Sequence, residues 1–529
     1  MSARLLRYYH TLKYLKPIQI YYRLFYWGRG QWRNRTGYKL PISRGGEVPD
    51  PPGMIPGLFP ASKSFLGGRH FRFLNLDGQF GETIDWDYPD HGKLWTYNLN
   101  YFEYLLQEDV SREEGLRIMR EFMAAAPAIS NAWEPYPLSL RIIHWIKFIA
   151  RHGLRDEEVS SSLRAQTDAL AERLEYHLLG NHLLENGFAL LFAACYFHDR
   201  NYYRIAMRIL DPQLEEQILA DGAHFELSPM YHQLMLWRIL DCCNLIQLNA
   251  GPWSGELPRL ENIAGRMLSW LRRISFADGD IPLLNDAAPG INPTTPALLA
   301  YAKELNIDPD SDLPLSVSGY RKRTLDRFEL LFDVGGPGPD YIPGHAHCDA
   351  LSVLLHIDGR PFLVDRGIST YEANAVRYAE RSTSSHNTVS VADCEQAEIW
   401  ASFRMGRRRT PLLRSDAKNE LSGDIQYGSS DHWHSRELSI VSSDCIRIVD
   451  SVDAPASAYF HFPPGLRASE TSRGISTELA ELTFEGATVW RLENYNYAVG
   501  FNLTEPAQRA VVSFSKNLTT YLTLSKSSS

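Results

Sequence analysis

Hydrophobic positions along the chain change their period once. Between about residues 95 and 274 they recur every three to four residues, as on one buried face of a helix. LWTYNLNYFEYLL carries an aromatic-rich helix start. PLSLRIIHWIKFIARHG opens at Pro137 and closes at Gly153, the residues that helix termini favour. Leu163, Leu170, Leu174 and Leu178 share one face, with Gly180 expected to end that helix. Further helices are predicted over 184–197, 202–219, 230–248 and 257–274. Short polar turns with no strand pattern between them predict antiparallel hairpins, stacked as an α/α toroid or an open array.

After about Ser316 the period becomes two. DRFELLFDV, ALSVLLHID, RPFLVD, HNTVSVA, RELSIVS, CIRIVDSV, YFHFP, ATVWRLE, AVGFNL and AVVSFS read as strands separated by Gly, Asp, Asn, Ser and Pro. Many short strands without intervening helices predict an antiparallel β-sandwich or related layered sheet. The expected fold is therefore α+β and multidomain. A basic aromatic segment and linker over 1–62 precedes a toroid-like helical domain over 63–315 and an antiparallel β-sheet domain over 316–529.

Composition narrows the class. A chain of 529 residues, 44% hydrophobic and 22% charged, has ample core for two or three domains. A formal net charge of −9 argues against general nucleic-acid binding. Six cysteines without a CxxC pair read as free thiols in a reducing compartment. No apolar run approaches a membrane span and no secretory leader is evident, so a cytoplasmic location is expected, peripheral to the inner membrane at most. Residues 1–46 hold ten Lys or Arg and no Asp or Glu, interleaved with tyrosine, phenylalanine and tryptophan. Such a segment is expected to pack against the body with its charges in water. The alternative is peripheral contact with an anionic membrane surface or a polyanion. The Pro- and Gly-rich stretch 40–62 reads as a loop or linker.

Candidate chemistry concentrates in residues 344–391. His345 and His347 are one residue apart, so on an extended strand both face the same way. Asp365 follows on a second β-like run and His386 opens a third. His347, Asp365 and His386 make a three-ligand zinc set, because zinc accepts mixed nitrogen and oxygen donors. His345, left beside the metal, is the first catalytic candidate. An HxH pair also occurs on ordinary solvent-facing strands; the spaced aspartate and third histidine are what raise it above that. In the helical half, GNHLLEN brings Asn181, His182, Glu185 and Asn186 to a helix start, where Asn181 could serve as a cap. Ser228-Pro229 can open another helix with Tyr231 in its first turn, where the helix dipole would favour phenolate. A tyrosine anchored in the core by its hydroxyl is the plainer reading. Trp133 and Tyr136 suit sugar-ring stacking, and the arginines at 366, 377, 381, 404 and 407–409 suit a polyanionic chain.

Together these segments resemble the heparinase II/III family of polysaccharide lyases, especially members found with bacterial surface-polysaccharide genes. The resemblance rests on WTYNLNYFEYL, WEPYPLSLRIIHW, GNHLLENG, ELSPMYH, DGDIPLLND and GHAHCDALSVLLHIDGRPFLVDRGISTY through RSTSSHNTV to WASFRMGRR. It implies an α/α toroid followed by antiparallel sheet layers, and β-elimination on an acidic, uronate-containing polysaccharide. By the same resemblance Asn181 or His182 looks like the group that neutralises the uronate carboxylate, and Tyr231 and His345 like the proton-transfer pair. His347, Asp365 and His386 look like ligands of a structural zinc. Glu185, Trp133, Tyr136, Arg381 and Arg404 are expected to contact substrate. A glycoside hydrolase on the same scaffold would instead need two opposed carboxylates from Glu134, Glu185, Asp278 and Asp286. A non-catalytic polysaccharide-binding or assembly protein would need none of these reactive groups.

Overall fold

The computed structural model describes residues 3–37, 48–55, 62–310 and 313–525. Residues 40–47 and 56–61 of the expected linker lie outside them. Two N-terminal helices, α1 (Ala3–Leu12) and α2 (Pro17–Thr36), precede a β-hairpin of His70–Phe73 and Leu76–Gln79. Among the described residues nine α-helices follow: α3 (Lys93–Tyr101), α4 (Arg112–Ala125), α5 (Pro135–His152), α6 (Glu157–Ala171), α7 (Gly180–Phe197), α8 (Arg200–Gln217), α9 (Pro229–Leu248), α10 (Leu257–Ile274) and α11 (Thr295–Glu304). They form two layers. An inner row runs α3–α5–α7–α9–α11 by successive contacts, while α8 and α10 pack outside α7 and α9. The sequence dictates this division. α7 and α9 are buried almost all round, as their apolar composition requires, whereas α8 and α10 carry a polar outer face.

Gly180 corrects one expectation. The helix carrying Leu163 and Leu170 stops at Ala171, and Gly180, in the left-handed region at φ +60°, begins the next helix. A side chain there would press on Glu226, whose Oε1 lies 2.8 Å from an added Cβ.

The C-terminal half is antiparallel sheet. Four strands, Tyr320–Thr324, Phe328–Asp333, Val353–Ile357 and Arg360–Leu363, pair in chain order. A ten-stranded sheet lies beyond, its centre the long hairpin of Ala480–Gly500 and Leu503–Leu524. The small sheet is the middle layer. Leu331 and Leu354 join the helical core, while Leu330, Phe332, Val353 and Leu355 join a second core with Ile446, Ile448 and Leu518 of the large sheet. Burial on both faces explains why Val353–Ile357 reads as a continuous apolar run. Strands such as Leu412–Ala417 and Glu420–Gln426 escape the period-two reading because their residues alternate only weakly in hydrophobicity. One helix, α12 (Ala375–Arg381), interrupts the sheet half.

The large sheet encloses a charged cluster. Asp450 accepts bonds from Arg436 Nε (2.7 Å) and His434 Nε2 (2.7 Å), all fully buried. Burial alone would raise the Asp450 carboxyl, but Arg436 and His434 outweigh it and bring it down to about 2. Against an unfolded value of ~3.9, this pairing stabilises the fold above about pH 4, and the contribution is lost as pH falls through about 2. Asp450→Asn strands the Arg436 guanidinium in the core. Urea unfolding at neutral pH is expected to show a loss of about 3–5 kcal/mol, with a flatter acid limb than the parent chain.

Candidate active site

Three inner helices begin at the same place. Tyr136 lies in the first turn of α5, Asn181 and His182 in that of α7, and Tyr231 in that of α9. Ser228 caps α9 by accepting the Tyr231 N–H (3.3 Å), and Pro229 fills the first helical position, as its sequence predicts. Tyr136 packs on His182 with ring centroids 4.5 Å apart. From the sheet half, the loop bearing His345 and His347 closes over these helix starts. His345 packs on Tyr231, ring centroids 3.9 Å apart, and keeps only 14% of its side chain exposed.

The two histidines are not on a strand; residues 344–349 form an irregular loop. They nevertheless address one group. Asp286, from the connection between α10 and α11, accepts the His345 Nδ1–H at 2.8 Å on Oδ2 and the His347 Nε2–H at 2.9 Å on Oδ1. Arg377 of α12 adds a bidentate pair, its Nη2 2.7 Å from Oδ2. Burial pushes the Asp286 carboxyl up, yet Arg377 and the two imidazoles hold it well below the usual range. An ionised Asp286 fixes both tautomers, because each imidazole must donate to it. In the neutral form of each ring the lone pair of His345 is then on Nε2, and that of His347 on Nδ1.

Glu226 completes the arrangement. It accepts from the Asn181 side-chain amide on both oxygens (3.0 and 2.9 Å) and from the Asn181 N–H (3.1 Å), and its Oε2 is 3.5 Å from His345 Nε2. The Asn181 donors are thus engaged within the protein rather than capping α7. His182, one-third exposed, donates from Nδ1 to Glu175 (3.0 Å). Burial disfavours its charge, but Glu175 outweighs this and raises its pKa. The Tyr231 hydroxyl meets that of Tyr371 at 3.2 Å. Burial, Tyr371, Asp286 and Glu226 drive its pKa well above 10, so the helix dipole does not make it a phenolate.

Other expected contacts fall elsewhere. Glu185 is fully buried and paired to Arg238 (3.2 Å), beneath the site rather than facing it. Arg381 is also buried and spends its guanidinium on the carbonyls of Ala346, Ala401 and Ser402. Of the expected basic stripe, Arg404, Arg407 and Arg409 remain exposed; Arg377 and Arg408 are buried. Trp133 donates its indole N–H to the Ala126 carbonyl (2.8 Å) and is half-buried, as is Tyr136. Glu134 engages Lys93 and Tyr97, and Asp278 lies 3.5 Å from His356. With Glu185 and Asp286 in buried ion pairs, these four carboxylates offer no pair free to act on a glycosidic bond.

The zinc set is mixed. Asp365 and His386 sit just beyond and just before strands rather than within them, and His386 Nδ1 donates to Asp365 (2.7 Å). His347 and His386 are 5.3 Å apart by ring centroids. His347 Nδ1 and His386 Nε2 are buried without hydrogen-bond partners, and burial keeps His347 neutral with its pKa pushed down to about 3. Against the effect of burial, Asp365 raises the His386 pKa, so these two nitrogens beside a carboxylate suit zinc chemically once His386 gives up its proton. Among the described residues, no three His, Cys, Asp or Glu side chains converge to coordination distance. Asp286, Glu226, Tyr371 and Arg377 are the site residues that motif spacing did not single out as such. Asp286 ends the segment DGDIPLLND, where the sequence alone offers it only as a hydrolase carboxylate.

Known proteins agree with this architecture. The family model for the heparinase II/III N-terminus matches residues 119–312, and that for the heparinase II/III-like C-terminal region matches residues 309–525. No curated protein matches the sequence. A crystal structure of heparinase III superposes with a TM-score of 0.67 at 15% identity, covering 84% of this chain and 80% of that one. A second heparinase III gene product gives 0.62 at 16%, covering 85% and 82%. The heparan sulfate lyase HepC of Pedobacter heparinus gives 0.57 at 16% in a mutant form, covering 86% and 81%. These likenesses establish the shared fold: a helical toroid followed by layered antiparallel sheet.

Asp286 and Tyr231 should differ sharply in stability. Asp286→Ala leaves Arg377 buried without a counter-charge and should cost about 3–5 kcal/mol in urea denaturation. Tyr231→Phe loses one hydroxyl contact and should cost about 1 kcal/mol.

Proposed function

The chain belongs to the heparinase II/III-like family, and from that premise we propose that it is a polysaccharide lyase cleaving a uronic-acid-containing glycan by β-elimination. The glycan class we propose is an acidic bacterial exopolysaccharide or lipopolysaccharide. The observation that carries the reading is the meeting of Tyr231 and His345 at the mouth of the inner helices, with His182 in the first turn of the neighbouring α7. The heparan sulfate lyase named among the similar structures supports an acidic polymer as substrate.

β-Elimination removes the C5 proton of the uronate, α to its carboxylate, and expels the 4-linked oxygen. The developing charge on the carboxylate must be met by a donor. His182 suits this role better than Asn181, since Glu175 favours its charged form while the Asn181 amide is committed to Glu226. His345 is the base: its Nε2 lone pair follows from the bond of Nδ1–H to Asp286. Tyr231, held as a phenol, gives its proton to the departing O4. Tyr371 hydrogen-bonds the Tyr231 hydroxyl, and the proton that His345 takes from C5 restores Tyr231 once product leaves. Tyr136 and Arg404 bind neighbouring sugar units by stacking and by charge.

Zinc is part of the proposal as a structural ion held by His347, Asp365 and His386. It would fix the loop that carries His345, and the elimination itself needs only the protein groups above. Metal analysis of the purified protein is expected to find a single zinc per chain. His386→Ala should lose it and lower the melting temperature, whereas His345→Ala should retain it.

The activity test is near-ultraviolet absorbance with a panel of uronic-acid polymers, since elimination leaves a conjugated double bond and hydrolysis does not. We expect absorbance to rise with the parent chain. Tyr231→Phe and His345→Ala should each lower kcat about 10²–10⁴-fold. Cleavage without a new chromophore would identify a hydrolase, and binding without cleavage an assembly protein.

A further inference from the structure

The basic segment α1–α2 has its apolar residues on the wrong side for a helix in water. Its inward face is held by polar and aromatic anchors. Tyr22 stacks on Tyr176 (4.7 Å), Gln19 donates to the Leu178 carbonyl (3.0 Å), Arg33 pairs with Glu172 (2.8 Å), and Lys16 pairs with Glu216. On α1, Arg7 pairs with Glu398 (3.0 Å) and Tyr8 packs on Trp400 (5.5 Å). The segment therefore spans both halves of the protein and cannot roll. Facing outward are Tyr21, Leu24 and Trp27 of α2, 61%, 65% and 69% exposed, with Leu5, Tyr9 and Leu12 of α1 each above half exposed. Tyr21, Leu24 and Trp27 follow the helical spacing of a single stripe. Large side chains so exposed, in one contiguous segment, mark an interaction surface rather than ordinary scatter.

We propose that this face docks on an anionic lipid surface. Charge selects the occupant. Residues 1–46 contain no acid, and Lys13, in the turn between α1 and α2, and Arg35 of α2 remain exposed while the rest of the chain carries the negative excess. A second copy meeting the same face would set basic helix against basic helix. A sugar polymer would use the rings but leave Leu5, Leu12 and Leu24 bare, whereas a lipid interface takes leucine, tyrosine and tryptophan together with a basic rim. No helix among the described residues is long and apolar enough to cross a membrane, so the contact is peripheral. The inference stands apart from the lyase reading, and its test needs no activity.

The experiment is flotation of the full-length protein with vesicles of phosphatidylcholine, with and without phosphatidylglycerol. The parent chain is expected to float with the anionic vesicles and to be released by salt. Leu24→Glu combined with Trp27→Glu should weaken partitioning about tenfold or more, with an unchanged melting temperature. Leu12→Glu, on the other helix, should weaken it independently. Failure to float with either vesicle would overturn the proposal, as would undiminished flotation of the double variant. So would a concentration-dependent dimer abolished by the same substitutions, which would assign the face to a second copy.

Discussion

A single buried carboxylate holds this molecule's chemistry together. Asp286 comes from the chain that closes the helical half, yet its four side-chain bonds all go to the sheet half: two from Arg377 and one each from His345 and His347. A charge with no solvent access must be matched where it lies. Matching it here fixes how the two halves dock. It also orients two imidazoles at once, leaving Nε2 of His345, 3.5 Å from Glu226, and Nδ1 of His347 as the ring nitrogens that do not bond Asp286. Arg377 is steadied in turn between the rings of Tyr371 and Phe403, 5.0 and 5.3 Å away.

The helical half contributes a different constraint. Because α5, α7 and α9 form one inner row and begin at the same end, their first turns present Tyr136, His182 and Tyr231 side by side. First turns are where backbone N–H groups go unpaired and where proline, glycine and small caps occur. Pro135, Gly180 and Ser228-Pro229 each occupy such a position. The same local rules that end one helix and start the next thus assemble the cleft. Gly180 does so doubly, since its missing side chain admits Glu226.

Much of this was legible in the sequence, for identifiable reasons. The change of hydrophobic period gave the two halves, and the Ser-Pro start placed Tyr231 correctly because capping is local. His345 and His347 do share a direction, although an irregular loop and a common partner produce it rather than a strand. What could not be read were distant electrostatic pairings. Arg381 and Glu185 look like substrate contacts in a motif, but burial sends one to backbone carbonyls and the other to Arg238. Glu226 and Asp286 lie 119 and 59 residues before His345. Nothing in their local spacing announces that they meet it.

The balance of charge around the cleft explains why a phenol and an imidazole can work side by side. Two carboxylates, Glu226 and Asp286, stand within reach of Tyr231 and His345, so a phenolate there would be a third negative charge in a buried place. The proton stays on Tyr231 for that reason. Asp286 spends its charge on Arg377 and the imidazole N–H groups, and Glu175 favours the charged form of His182. The cleft therefore gathers an imidazole whose charged form is favoured, a phenol that keeps its proton and a second imidazole held by Asp286. Those are the groups that the proposed elimination would call on. Their states are set by carboxylates already engaged within the protein.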